Sequence, residues 1–279
     1  MSEFSERYGP WALIAGGAQG SGEAYCRHVG AQGLNVVVLD ISPDALKEFV
    51  PTLEREYGVE CLGVEIDLAR QDLLAAVTQA VGDREIGLLI YNAGLADVGP
   101  FYKPDTGLEY EQMKIAINVT GPFVLSYHYA KPMLARKSGG IILMSSGAGL
   151  QGAPYYAHYS ATKAYDIVLA EALYGEFKPY NVDVLACVAG MTLSTAAKGY
   201  QHLDTSTFQT TTELVDEAMA ALGVQCTLIA GELNRKNREA MKDMPKEQLI
   251  EILHYNGLPM NAQFVVDAVN VDLVKGKAA

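Results

Sequence analysis

Short apolar runs alternate with longer amphipathic stretches along most of the chain. Residues 11–15, 35–40, 59–66, 86–91, 141–145, 182–188 and 226–230 are rich in Val, Ile, Leu and Ala. Runs of that length between Gly, Asn, Asp and Ser clusters read as strands. Between them, residues 20–32, 43–57, 71–81, 110–130 and 158–177 read as helices, with Pro43 early in its helix, where a missing N–H costs nothing. Alternation at this spacing predicts parallel βαβ units: an α/β fold, a Rossmann-type doubly wound parallel sheet of about seven strands with helices on both faces. Right-handed crossovers put the ligand crevice at the carboxyl ends of the strands. No repeat, low-complexity segment or linker divides the chain, so residues 1–279 are expected to form a single catalytic domain. Residues 191–225 carry few strand signals and are expected to form a substrate lid. The segment 232–279 is expected to be helical, at 245–254 and 260–274.

Composition narrows the function classes. The chain has 279 residues, 49% hydrophobic and 19% charged, with a formal net charge of −12. No Lys/Arg run forms a stripe that would track phosphates, so nucleic acid is not an expected partner. Residues 1–7 lack the apolar core of a signal peptide. The longest strong apolar run, Val36-Val37-Val38-Leu39, is strand-sized, far short of the ~20 residues of a membrane span. A cytoplasmic location follows as the expectation. Cys26, Cys61, Cys187 and Cys226 are scattered and read as reduced and mostly buried. Neither they nor the dispersed histidines form a metal site.

The candidate chemistry lies at strand ends. Gly16-Gly17-Ala18-Gln19-Gly20-Ser21-Gly22 follows the first strand and opens a helix, the context of a dinucleotide-binding turn. Its glycines allow positive φ and close approach to a diphosphate, while the helix start offers unpaired N–H groups. A tight strand–helix connection alone has the same spelling. Asp40 ends the second strand, where a carboxylate accepts hydrogen bonds from ribose hydroxyls and repels a 2′-phosphate. No cation occupies Ile41, Ser42 or Pro43, and Gln19 adds none in the turn. NAD is therefore expected over NADP, although an Asp that merely caps the next helix would look identical. Asp67-Leu68 follows the third strand, where adenine should lie. Asn92-Ala93-Gly94 follows the fourth, where small residues admit the cofactor.

Tyr159-Ser160-Ala161-Thr162-Lys163 carries the acid–base signal. On a helix, Tyr159 and Lys163 share one face. An ammonium near a phenol favours the phenolate, which suits Tyr159 to general acid/base work. Ser146 lies thirteen residues upstream, placed to hold the reacting oxygen; Ser145 lacks that spacing. Adjacent helical residues diverge by ~100°, so His158 is expected to face away from Tyr159.

These motifs, with Ile117-Asn118-Val119 and the Ala189-Gly190 turn, resemble the short-chain dehydrogenases/reductases over nearly the whole chain. Residues 6–14 and 54–60 are similar to the branch of 17β-hydroxysteroid dehydrogenases and long-chain 3-oxoacyl-CoA reductases. The start of the chain, Ala230-Gly231 and Asn234 are similar to bacterial 7β-hydroxysteroid dehydrogenases. The resemblance implies a tetrad of Asn118, Ser146, Tyr159 and Lys163. It assigns Tyr159 to take the hydroxyl proton and Lys163 to bind the nicotinamide ribose. Ser146 then binds the substrate oxygen, and Asn118 holds a relay water. It further implies cofactor contacts from Gly16, Ala18, Gln19, Gly20, Ser21, Gly22, Asp40, Ile41, Asp67, Leu68, Asn92, Ala93, Gly94, Gly190, Thr192 and Ser194 (or Thr195). Ala15, Ser21, Tyr91 and Ala189 depart from the family pattern. The 7β branch generally uses NADP with a basic residue near the end of strand two, so Asp40 argues against transferring that cofactor or substrate.

For the substrate, Leu95, Leu150, Tyr156, Met191, Leu193 and Tyr200 are the lining candidates, with Val98, Phe101, Tyr155, Leu203 and Phe208 nearby. Few cations accompany them, Lys198 being the nearest. The set fits a neutral hydrophobic hydroxy or keto compound: a steroid, terpenoid or aromatic alcohol. A long-chain 3-oxoacyl thioester oxidoreductase and a non-catalytic NAD-binding regulator are the alternatives. Small residues at Ala164, Ala170, Ala172 and Gly175 permit close helix packing, and the resemblance implies a homodimer or homotetramer through this helix and the helix of 110–130.

Overall fold

The protein is described as a computed structural model covering residues 2–97, 99–102, 107–193 and 208–260, with 254–260 given by backbone alone. Helix α1 (Glu3–Tyr8) precedes β1 (Trp11–Ala15). Then come α2 (Gly20–Ala31), β2 (Asn35–Asp40), α3 (Pro43–Tyr57), β3 (Cys61–Glu65), α4 (Leu73–Val81) and β4 (Ile86–Tyr91). Helix α5 (Gly107–Ile115) runs through a π-helical turn, Ala116–Thr120, into α6 (Gly121–Arg136). Strand β5 (Gly139–Ser146) ends in a 3₁₀ turn, Gly147–Leu150, before α7 (Ala157–Phe177) and β6 (Val182–Ala189). The remainder comprises β7 (Thr192–Leu193), β8 (Gln209–Thr210), α8 (Thr211–Ala221), β9 (Thr227–Ile229), α9 (Glu232–Met241) and α10 (Lys246–Met260).

Seven strands form one parallel sheet in the order β3-β2-β1-β4-β5-β6-β9. Strand order reverses where β1 meets β4, so the loops leaving these strands diverge and open a crevice at their carboxyl ends. Alternate residues of each strand feed two cores. Ala12, Ile14, Val36 and Val38 meet α2, α3 and α8 on one face, through Tyr25, Phe49 and Leu214 among others. Leu13, Val37 and Leu39 meet α4, α6 and α7 on the other, through Val77, Leu125 and Phe177. Residues 36–39 are fully buried. Each such side chain stabilises by roughly 1.5–3 kcal/mol relative to exposure. This two-sided burial fixes the sheet and thereby the strand ends that carry the motifs.

The structure corrects three local expectations. The strand expected over 59–66 is shorter, Cys61–Glu65. The helix expected over 110–130 is interrupted at the π turn, where Gly121 N donates to Ala116 O, five residues back. A Cβ at Gly121 would lie 2.0 Å from the Tyr91 hydroxyl, so only glycine lets α6 pass β4 there. Within 191–225, residues 211–221 are not lid-like. They form α8, started by a reciprocal capping box between Thr210 and Glu213, and they bury Leu214, Val215, Ala218 and Ala221. Residues 194–207, and 261–279 with most of the helix expected at 260–274, lie outside the described residues. Ala170, one of the small residues expected at a subunit interface, is fully buried within the chain's own core.

Candidate active site

The Gly16–Gly22 turn is closed by its own backbone. Gly16 and Gly20 have φ of 72° and 59°, left-handed values that favour glycine. A Cβ at Gly22 would stand 1.8 Å from Gly16 O. Two residues expected at the cofactor also brace this turn. Asp40 Oδ2 accepts from Ala18 N at 3.0 Å and its Oδ1 from Ser42 N at 3.0 Å. Asn92 Nδ2 donates to Gly16 O at 2.9 Å. Helix α2 starts at Gly20 with no side-chain cap from Gln19. Its first-turn amides are therefore left without a side-chain cap, as a helix start that receives an anion requires. This glycine cradle with uncapped amides fits the diphosphate of a dinucleotide. Further along the strand ends, Ile41 is exposed and Leu68 buried. Exposed Asp67 accepts from Ala69 N at 2.8 Å, and Ala93 N donates to Ala15 O at 2.8 Å.

The catalytic candidates Ser146, Tyr159 and Lys163 are carried by β5 and α7. Ser146 ends β5 and its Oγ accepts from Ala148 N at 3.2 Å, starting the 3₁₀ turn. A Cβ at Gly149 would be 2.6 Å from the Lys163 carbonyl carbon, so this turn lies directly on α7 because residue 149 is glycine. Ser145 points the other way: it is buried, and its Oγ donates to Lys163 O at 2.7 Å. Of the two serines, it is Ser146 whose hydroxyl is not spent on α7. Tyr159 is half-buried in the first turns of α7 and lines a small cavity with Tyr155, Tyr156 and Phe101. Tyr155 holds a left-handed φ of 66°, a costly conformation for a bulky residue, immediately before that helix.

Lys163 is turned inward. Its Nζ donates to Met144 O at 2.6 Å and to Asp166 Oδ2 at 3.0 Å. A Cβ at Gly94 would be 3.4 Å from Nζ, so the ammonium lies beside the loop that follows β4. Asn118, at the centre of the π turn, is fully buried. Its Oδ1 accepts from Leu95 N at 2.8 Å, and its Nδ2 donates to Leu95 O and to Thr162 Oγ1. The water-holding residue expected from the sequence is thus first a clamp tying that loop to α7. Turns of this kind recur at functional sites.

His158 and Tyr159 line the same cavity, and His158 Nδ1 bonds Glu111 Oε2. One expectation about the substrate side changes: that cavity is not purely apolar. Buried Lys114 bridges Asp97 and Glu111 at its wall. Lys114 and His158 hold the Glu111 carboxyl below its ordinary range, against the opposing effect of desolvation. The sequence spacing of Asp97, Glu111, Lys114 and His158 did not disclose the whole cluster, because the pairs Glu111–His158 and Asp97–Lys114 span different elements. The predicted lining residues are divided. Tyr156 lines the cavity at Tyr159, Leu150 lines a pocket against Met241 of α9, and Leu193 lines a groove with Gly20 and Val215. Met191 is partly exposed, and Leu95 is held through its backbone by Asn118. Thr192 Oγ1 donates to Gly190 O at 3.2 Å. A Cβ at Gly190 would overlap Asn234, so α9 lies on this turn. Val98, Ser194, Thr195, Lys198, Tyr200 and Leu203 lie outside the described residues.

Comparison with known proteins gives the family and the fold. A family profile described as short chain dehydrogenase matches residues 10–206. A 7beta-hydroxysteroid dehydrogenase of Mediterraneibacter gnavus is 32% identical over 236 residues, covering 82% of this chain and 89% of that protein. A solved 7beta-hydroxysteroid dehydrogenase structure superposes with a TM-score of 0.84 at 28% identity, covering 89% of this chain and 98% of that one. A short-chain dehydrogenase from Sphingobium yanoikuyae in complex with NADPH superposes at 0.70 with 26% identity, covering 85% and 97%.

Proposed function

The chain belongs to the short chain dehydrogenase family, and on that premise we propose that it is an NAD-dependent oxidoreductase interconverting a secondary alcohol and a ketone on a hydrophobic substrate, a steroid first among the classes. The observation that carries this reading is that β5 delivers Ser146 to the same carboxyl edge of the sheet as the Gly16–Gly22 turn, while α7, which carries Tyr159, is packed on the 3₁₀ turn that follows Ser146. In the oxidising direction Tyr159 takes the proton of the substrate hydroxyl. Ser146 Oγ, which accepts from Ala148 N and keeps its own proton to donate, hydrogen-bonds the same oxygen and stabilises charge developing on it. Lys163 supplies positive charge below Gly94. The nicotinamide, when bound, supplies the hydride acceptor. Gly16, Gly20 and Gly22 with the amides of α2 would hold the diphosphate, and Asp40 the adenosine ribose.

NAD is favoured by Asp40, a carboxylate at the end of β2 with no cation at residues 41–43. A steroid is favoured by likeness to the 7beta-hydroxysteroid dehydrogenases and by the aromatic lining at Tyr155 and Tyr156. Exposed Phe123 and Tyr127 on α6 and Val168 on α7 favour assembly through these helices. The test is a panel of hydroxysteroids, terpenoid alcohols, aromatic alcohols and a long-chain 3-hydroxyacyl thioester, assayed with NAD and NADP in parallel. Oxidation of a steroid alcohol with a clear NAD preference is expected. Turnover confined to NADP would overturn the reading of Asp40, and cofactor binding without turnover on any alcohol or 3-hydroxyacyl thioester would favour a regulator.

A further inference from the structure

Helix α7 carries a charged residue where its pattern calls for an apolar one. Tyr159, Lys163, Asp166 and Ala170 fall at i, i+4, i+7 and i+11 and share one face. The last three are buried at 4%, 1% and 0% exposure. A lone carboxylate at such a position is strongly unfavourable unless paired. Asp166 Oδ2 accepts from Lys163 Nζ at 3.0 Å, and Oδ1 has no hydrogen-bond partner among the described residues. The other acceptor on Nζ is Met144 O, a neutral carbonyl. Remove Asp166 and a buried ammonium is left with one uncharged partner, which favours loss of its proton.

We propose that Asp166 is a positioning residue that anchors Lys163 as a charged ammonium beneath Gly94, where it serves the cofactor and acts on Tyr159. The inference rests on the dehydrogenase reading for its consequence in catalysis, but the ion pair itself does not. The pair is oriented. Its positive end stands beside Gly94 and the crevice, while its carboxylate lies deeper, toward β4. The titratable groups about Asp166 are Lys163 and Tyr165 on its own helix and Tyr91 on β4. Burial raises the Asp166 carboxyl, and Lys163 opposes that rise. Tyr91 adds to the fit: its hydroxyl is committed to Ile117 O at 2.7 Å and does not compete for Lys163.

Asp166→Asn, nearly isosteric, separates charge from shape. With the lysine no longer held charged, the acid limb of kcat for alcohol oxidation is expected to move up by about one pH unit. The dissociation constant for NAD is expected to rise about fivefold or more. Asp166→Glu is expected to return the limb to the wild-type pH. An acid limb that stays in place or moves down in Asp166→Asn overturns the proposal. A second arm needs no turnover and no cofactor: urea unfolding of Lys163→Met, Asp166→Leu and the double variant. The double variant is expected to be more stable than either single change, because it leaves no orphaned charge. Additive destabilisation overturns the ion pair. Absence of activity in the wild-type enzyme would instead count against the dehydrogenase reading and leave this arm to decide on Asp166.

Discussion

Around the Gly16–Gly22 turn, function rests on what side chains leave out; around Tyr159, it rests on what they bring in. The turn is glycine held at left-handed φ, tied by Asp40 and Asn92 to neighbouring backbone. The catalytic wall is a set of side chains on β5 and α7, including the buried Lys163–Asp166 pair. A cradle of amides tolerates no added atom but needs no tuned proton. A proton-handling wall tolerates changes of shape but depends on charge. The two regions should therefore fail differently.

Gly22→Ala gives the broadest expected effect, because both functions fall together. Its Cβ would meet Gly16 O at 1.8 Å, a backbone atom that cannot swing away. NAD affinity should drop roughly 100-fold or more, about 2.7 kcal/mol, and turnover with it; calorimetry showing wild-type affinity would break the cradle account. Ser146→Ala should lower kcat by roughly 10²–10³, as loss of one transition-state hydrogen bond does. NAD binding should stay at the wild-type level, and a change in kcat below about threefold would reassign the oxygen-binding role. Asp40→Ser should act on cofactor choice. The ratio of kcat/KM for NAD over NADP is expected to fall about tenfold, and an unchanged ratio would reduce Asp40 to its bonds with Ala18 and Ser42.

The same contrast explains what the sequence disclosed. The sheet was legible because apolar runs of strand length recur at βαβ spacing, and β1 to β6 fall within a few residues of the reading. The cradle was legible because glycine spacing is a local backbone property. Ser146 was separable from Ser145 by spacing, and the structure supplies the reason: neighbours on a strand point to opposite faces, and Ser145 is used inside. Asp166 was overlooked although it leaves a trace, a carboxylate in helical phase with Lys163 and Ala170. Glu111 and Lys114 leave the same trace at i and i+3 of α5, but the partnership of Lys114 with Asp97 left none, since Asp97 comes from a different loop. The π turn was not legible, because one extra residue in a helix has no compositional mark until Gly121 is seen against Tyr91. Helix α8 carried a readable signal, Thr210-x-x-Glu213 before a helical apolar period, which the expectation of a lid obscured.

The comparison is tested most directly by Tyr159→Phe, with NAD affinity by calorimetry and NADH formation from a hydrophobic secondary alcohol measured on the same preparation. The account predicts a dissociation constant within about threefold of wild type and a loss of about 10²–10⁴ in kcat, the range general acid–base catalysis supplies. Turnover within about tenfold of the parent, with cofactor bound, would contradict the assignment of Tyr159 as the group that moves the proton.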